Sequence, residues 1–360
     1  MIKSLRLLKA LLLTCVMLPL SAGAVVVGNL TYYLNAENHT AAVNGWAGGT
    51  DAAVGQLVIP TSIDFEGKSY TVTTIGPSAF NNCKGLSGSL IIPETITSIG
   101  SNAFQGCCGL DGTLTLPESL TNIGMYAFYG CKNLVGALDM PNSITSVGRY
   151  AFSGCAKLTS VHISEGIKVI ERFTFNDCSS LTSIDIPASV TSIGTEAFSG
   201  CSHLASVSIP NGVMNIERES FKNCSSLATL EIPASVESVG FQAFANCTNL
   251  KVVTVLSDKV KYESDIFRND NIQLVLCPES MDCTSLGSSI PYIRRFNPNG
   301  AKLLEDGTLL TDKGKTLFFA PVYDGTYYAI PEGVTTIAPG AFGPLYLSNI
   351  ITPRAATGCN

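Results

Sequence analysis

Residues 192–210 read SIGTEAFSGCSHLASVSIP, and the chain writes nearly the same line many times. Its skeleton is Ile-Gly, Ala-Phe, Cys, Leu, Val and Ile-Pro. ESVGFQAFANCTNLKVVTV, from Glu237, keeps that skeleton, and TSIGSNAFQGCCGLDGTLTLP, from Thr97, keeps it with one extra residue. Phenylalanines fall at 80, 104, 128, 152, 175, 198, 221, 244 and 267, in three steps of 24 followed by five of 23. Cysteines keep pace at 83, 107, 131, 155, 178, 201, 224 and 247. Such strict self-similarity is the signature of a solenoid.

Each unit has a physical reading. Ser183-Ile184-Asp185-Ile186 alternates polar and apolar, as a short half-buried strand does. Pro187 has no N–H to give a ladder and ends the strand. Val190, Ile193, Ala197 and Phe198 supply an apolar return path, with a tight bend expected at Gly194. Thr195 to Cys201 is expected to form one helical or 3₁₀ turn. One such coil cannot bury its own apolar face, but stacked neighbours do so for one another. The expected fold is therefore a repeat solenoid, with a parallel β-sheet on one face and short turns or 3₁₀/helical segments on the other. The ladder cysteines sit once per coil beside the apolar Phe, which suits small buried free thiols. Cys277 and Cys283, outside the ladder, are better placed for a disulfide.

The unit of Ile-Gly, Ala-Phe, Cys, Leu and Ile-Pro resembles the bacterial surface leucine-rich repeat of the BspA-like family. The match runs from about Leu57 to Leu276 and again from Ile330 to Pro353. Within it, Leu57-Val-Ile-Pro60 and Tyr70-Thr-Val72 look like strands that feed the first full repeat. The resemblance implies export and adhesion or host-surface binding, without naming a ligand.

The pattern divides the chain. Residues 1–24 read as a signal peptide: Lys3, Arg6 and Lys9 precede an apolar Ala10–Leu20 segment, and Ala22-Gly23-Ala24 is an A-x-A cleavage site. Residues 25–74 form a cap region that leads into the repeats, and 75–276 the solenoid. Leu276 is expected at the first apolar position of its strand. Residues 277–329 lose the repeat, with strands expected at Gly307–Leu310, Thr316–Phe319 and Tyr327–Ile330, and are read as a β-rich insertion in line with the solenoid. Residues 330–360 resume it as an incomplete terminal repeat. The localisation implied is secreted or cell-surface, with lipid anchoring at Cys15 as the alternative. No later segment is long and apolar enough for a transmembrane helix.

Composition narrows the function. The formal net charge is -6, and only 14% of residues are charged. No basic cluster in the body of the chain suits a nucleic-acid partner. The sequence contains no phosphate loop, nucleophile elbow or metal-spaced His pair, so no cofactor, metal or catalytic residue is expected. His39, His162 and His203 each stand in a different setting. The positions between the apolar strand residues should face solvent, which nominates Thr115, Asp139, His162, Asp185, Ser208 and Glu231 as an extended, shallow binding row. The partner expected is an extracellular or cell-surface protein or glycan; the competing reading is a structural spacer that presents another module. Oligomeric state is not legible. N-terminal sequencing of the protein from its native host should find Val25 first; a lipidated chain beginning at Cys15 would replace that reading.

Overall fold

The computed structural model describes residues 23–281, 286, 292–297, 301–304, 308–320, 328–339, 341–342 and 350–351. The segment expected as a signal peptide through Ala22, including Cys15, and the disulfide candidate Cys283 lie outside them.

The chain winds into stacked coils held by parallel ladders. On one side, Leu90–Ile91 pairs with Leu114–Thr115, and Gly136–Asp139 with Leu158–His162 and then Ser183–Asp185. The series resumes as Thr229–Ile232, Val252–Val255, Leu274–Pro278 and Tyr292–Phe296. Between them the segment around Ser208 has no ladder pairing among the described residues, yet Val207 and Ile209 stay buried while Ser206 and Ser208 are exposed. The alternation read from the sequence therefore survives where the hydrogen bonds do not.

The return path is more regular than expected. It carries a second parallel ladder, seen in Ser192–Ile193 between Val169–Ile170 and Asn215–Ile216. In place of the one helical or 3₁₀ turn expected at Thr195 to Cys201, the segment makes a run of separate tight turns. Glu196, Phe198 and Gly200 donate their N–H groups to Arg218, Ser220 and Lys222 of the next coil, while Ala197, Ser199 and Cys201 donate three residues back within their own coil. The backbone thus spends alternate N–H groups on tight turns and on its neighbour. A continuous helix would have kept all of them inside one coil. Glu196 and Gly200 take left-handed φ of 53° and 79° to achieve this. Gly194 serves close approach rather than a special bend: a Cβ there would meet the carbonyl oxygen of Ile170 at 2.6 Å.

Inside the coils the phenylalanines form one file. Rings from Phe80 to Phe267 stack with centroids 5.2–5.9 Å apart. The ladder cysteines are free and buried, as expected. From Cys107 onward each thiol also donates to a Phe carbonyl of the preceding coil, for example Cys201 Sγ to Phe175 O at 3.3 Å. That carbonyl already accepts the N–H of Cys178 in its own coil. Burial raises the Cys178 and Cys224 thiols to about 12.

At the N-terminal end Val25–Val27, Leu30–Asn35 and Thr40–Trp46 form an antiparallel meander, and the last of these pairs in parallel with Lys68–Ile75. Ser62–Phe65 folds back on Lys68–Ile75 through Glu66 and Gly67, both at positive φ, the turn geometry that suits a tight hairpin. Leu57 to Pro60, read above as a strand, has no ladder partner among the described residues.

At the other end the register differs from the sequence reading. Val275, not Leu276, continues the inward position of Val253. Leu274 and Leu276 therefore face outward, where they cluster with Phe296, Leu309 and Phe319. Leu309 and Phe319 belong to the hairpin of Leu309–Thr311 and Thr316–Phe319, whose other residues Leu310 and Leu317 enter a separate small core with Ile330 and Val334. Leu309 and Phe319 of this hairpin thus lie over the outward face of Leu274–Pro278, whereas Tyr292–Phe296 continues the parallel ladder in line with it. Cys277 is disulfide-bonded.

Asp270 occupies the ladder position of a cysteine. Its Oδ1 accepts the Cys247 N–H at 2.7 Å, while Oδ2 is buried with no partner among the described residues. Burial pushes its pKa from 3.8 to about 8, against the lowering effect of hydrogen bonds from the Cys247 and Asn246 N–H groups.

Two outcomes follow from this core. Phe198→Ala should cost roughly 3–5 kcal/mol and loosen adjacent coils with it, as read by denaturant unfolding; a change below about 0.5 kcal/mol, the scale of a surface substitution, would contradict a load carried by the file. Asp270 holds its proton more tightly folded than unfolded, so its contribution is full below about pH 4 and is lost as pH rises through about 8. Asp270→Asn should therefore stabilise the chain increasingly from pH 5 to pH 9, and urea titrations along that series will measure it.

Candidate binding surface

The strand side is built by the period of two. Leu138, Val161 and Ile184 point into the core, which turns Asp139, His162 and Asp185 outward. Asp139 lies in register with His162, and His162 with Asp185. His162 Nδ1 lies 2.8 Å from Asp185 Oδ2, with the Asp185 side chain open to solvent and that of His162 partly so. An exposed pair of this kind adds little stability; its effect is to orient the imidazole along the row.

A shallow depression of about 450 Å³ opens on this side, lined by Thr115, Glu118, Asp139, Asn142 and His162 among others. Three of the six residues nominated from the sequence therefore share one concavity, and Asp185 joins it through His162. Glu118 and Asn142 were not nominated. They lie in the turns that follow the strands, and the strand period gives no signal for turn residues. Ser208 is exposed further along, on the unpaired segment. Glu231 is half-buried, and burial raises its carboxyl above the usual range. One coil later Thr254, also expected outward, is buried. The row is thus open near Asp139 and progressively covered toward the C-terminal coils.

The turn side carries a feature that the sequence reading missed. The first left-handed residue of each coil from Phe80 to Phe267 is Ser78, Asn102, Tyr126, Tyr150, Phe173, Glu196, Glu219, Gln242 and Asp265 in succession. Tyr126 and Tyr150 stack at 4.6 Å, and Tyr150 and Phe173 at 4.4 Å. Glu219 follows, nearly buried and held at 2.7 Å by both Arg218 and Lys222. The signal was present: the residue two before the spine Phe is aromatic in three consecutive copies. Stacking of this kind offsets part of the cost of left-handed backbone at residues with side chains.

The other histidines are engaged elsewhere: His39 packs against Tyr70 with centroids 5.8 Å apart, and His203 Nδ1 lies 2.6 Å from Ser179 O. Among the described residues no group of three or more His, Cys, Asp or Glu side chains is placed to hold a metal ion. No helix among them is long and apolar enough to cross a membrane.

Short parallel strands, one file of phenylalanines and a turn ladder in every coil define a leucine-rich-repeat solenoid. The family described as BspA type leucine rich repeat region matches residues 61–181 and 168–290, with 6 copies, and the chain belongs to it. Among solved structures, a leucine rich cell surface protein from Faecalibacterium prausnitzii is 26% identical, with 76% of this chain and 95% of that one covered at a TM-score of 0.46. A leucine rich repeat protein from T. pallidum is 25% identical over 49% of this chain and 88% of its own, at 0.40. One from Eubacterium ventriosum is 18% identical over 94% and 99%, at 0.38. No curated protein matches the chain.

Proposed function

We propose that the mature chain is an exported binding protein that adheres to an extracellular or cell-surface macromolecule through the strand side of its solenoid. The observation that carries this reading is the in-register row of Asp139, His162 and Asp185 beside an open concavity on a rigid, repeated scaffold. Polar side chains spaced by whole coils give a broad partner several weak, simultaneous contacts without disturbing the core. Export is supported by the basic, apolar and Ala-Gly-Ala segments of the first 24 residues. The disulfide at Cys277 agrees with it, because disulfides persist in oxidising compartments. The same reading assigns residues 25–74 to a cap, 75–276 to the repeat scaffold, 277–329 to an insertion and 330–360 to a terminal repeat.

Asp139 and Asp185 are both exposed, so replacing them leaves the core untouched. With a partner captured from extracellular or cell-surface material of the host, Asp139→Lys/Asp185→Lys should weaken binding about tenfold. The attraction in the parent should fade as salt shortens the Debye length below about 8 Å. A binding titration, with circular dichroism as the folding control, measures both. Unchanged affinity would move the contact away from the strand side.

A further inference from the structure

A second concavity, of about 620 Å³, lies at the N-terminal end of the solenoid, far in sequence from the strand row. Its size is that of a small-molecule site. One wall is the meander, which contributes Asn29 and Trp46, the only tryptophan of the chain. The other is the extended segment 56–64. There Leu57, Ile59 and Ile63 are buried in the core, so the alternation turns Gln56, Val58, Ser62 and Asp64 to the cavity. Absence of a ladder partner at Leu57 to Pro60 leaves this strip open.

The wall is mixed in a particular way. Trp46, Val58 and Pro60 are apolar, and Val58 is 73% exposed although its neighbours on either side are buried. Between them the exposed polar side chains are two amides, one serine hydroxyl and a single carboxylate, with the Tyr32 ring buried behind. Within the chain, no hydrogen bond among the described residues engages the side chains of Asn29, Gln56, Ser62 or Asp64. Amides both donate and accept, a hydroxyl does the same, and a carboxylate accepts. A ligand that matches this set has many hydroxyl groups, no negative charge and an apolar face. A purely apolar ligand would strip water from four polar groups without replacing it. An anion would meet Asp64, and a strongly basic peptide would find only one carboxylate.

We propose that this cap cavity is a binding site for a neutral saccharide, with sugar C–H groups against Trp46 and Val58 and hydroxyl groups on Asn29, Gln56, Ser62 and Asp64. An indole offers a large rigid apolar surface with one donor at its edge, which suits a ring that is apolar on its faces and polar around its rim. The site stands apart from the strand row and does not depend on that surface being the adhesive one.

Trp46 provides its own readout. Titrating the mature chain with maltose, cellobiose, chitobiose and N-acetyllactosamine, followed by tryptophan emission, should give a saturable change with at least one of the four. Gln56→Ala/Asp64→Ala, at two exposed positions, should weaken that binding about tenfold, the worth of two hydrogen bonds, with an unchanged circular dichroism spectrum. Asp139→Lys/Asp185→Lys should bind the sugar as the parent does. No saturable change with any of the four sugars would overturn the assignment. So would undiminished affinity in the Gln56/Asp64 variant, or loss of sugar binding in the strand-side variant.

Discussion

Everything in this fold rests on one constraint: no coil can bury its own apolar face. A unit of 23 or 24 residues contributes one Phe, one Cys and a few aliphatic side chains, and each needs the coil above and the coil below. Burying such a Phe is worth about 1.5–3 kcal/mol, but only while a neighbour covers it. The file from Phe80 to Phe267 is therefore a chain of mutual dependence, and stability is shared between neighbours rather than owned by any coil. The thiols tighten it, because each Phe carbonyl has two acceptor sites and the coil's own N–H fills one. A small S–H donor from the next coil reaches the other without needing more room than the core has.

The same dependence explains how the ends are finished. At the C-terminal end a shift of one residue places Leu274 and Leu276 outward. In a strand such a shift exchanges the two faces, so the sheet there becomes apolar on both sides. Leu309 and Phe319 of the following hairpin cover the new face. At the N-terminal end the meander supplies ladder bonds for Lys68–Ile75 but leaves the strip of Gln56, Val58, Ser62 and Asp64 uncovered. One end hides its irregularity, and the other displays it.

Polar groups follow a parallel logic on the two broad sides. Along the strands, side chains stand one coil apart and touch only their counterparts, as His162 does with Asp185. Along the turns, left-handed residues line up in the same way, and the chain fills that row with rings that stack or with a carboxylate clamped by Arg218 and Lys222. Repetition converts any substitution into a pairwise interaction with the next coil, favourable or not. Asp270 is the unfavourable case, a carboxylate where the ladder has a thiol, held above its usual pKa by burial, with no partner for Oδ2 among the described residues.

By itself the sequence determined the repeat, the inward residues and the outward row, because strand alternation and a fixed period act locally and leave a direct trace in spacing. Phe198, Cys201 and Ile184 were legible as core, and Asp139, His162 and Asp185 as one line on the surface. Tertiary structure alone decided which parts of that line stay open. Glu231 and Thr254 looked like Asp139 in the sequence, yet they lie nearer the end that the C-terminal hairpin covers, and no local pattern records a cover contributed from fifty residues away. It also decided that Thr195 to Cys201 turns without forming a helix, because the N–H groups a helix would use are claimed by the next coil. The cap cavity belongs to the same class: Asn29, Trp46, Gln56 and Asp64 carry no shared spacing, and only the fold of the meander against the extended segment sets them around one space.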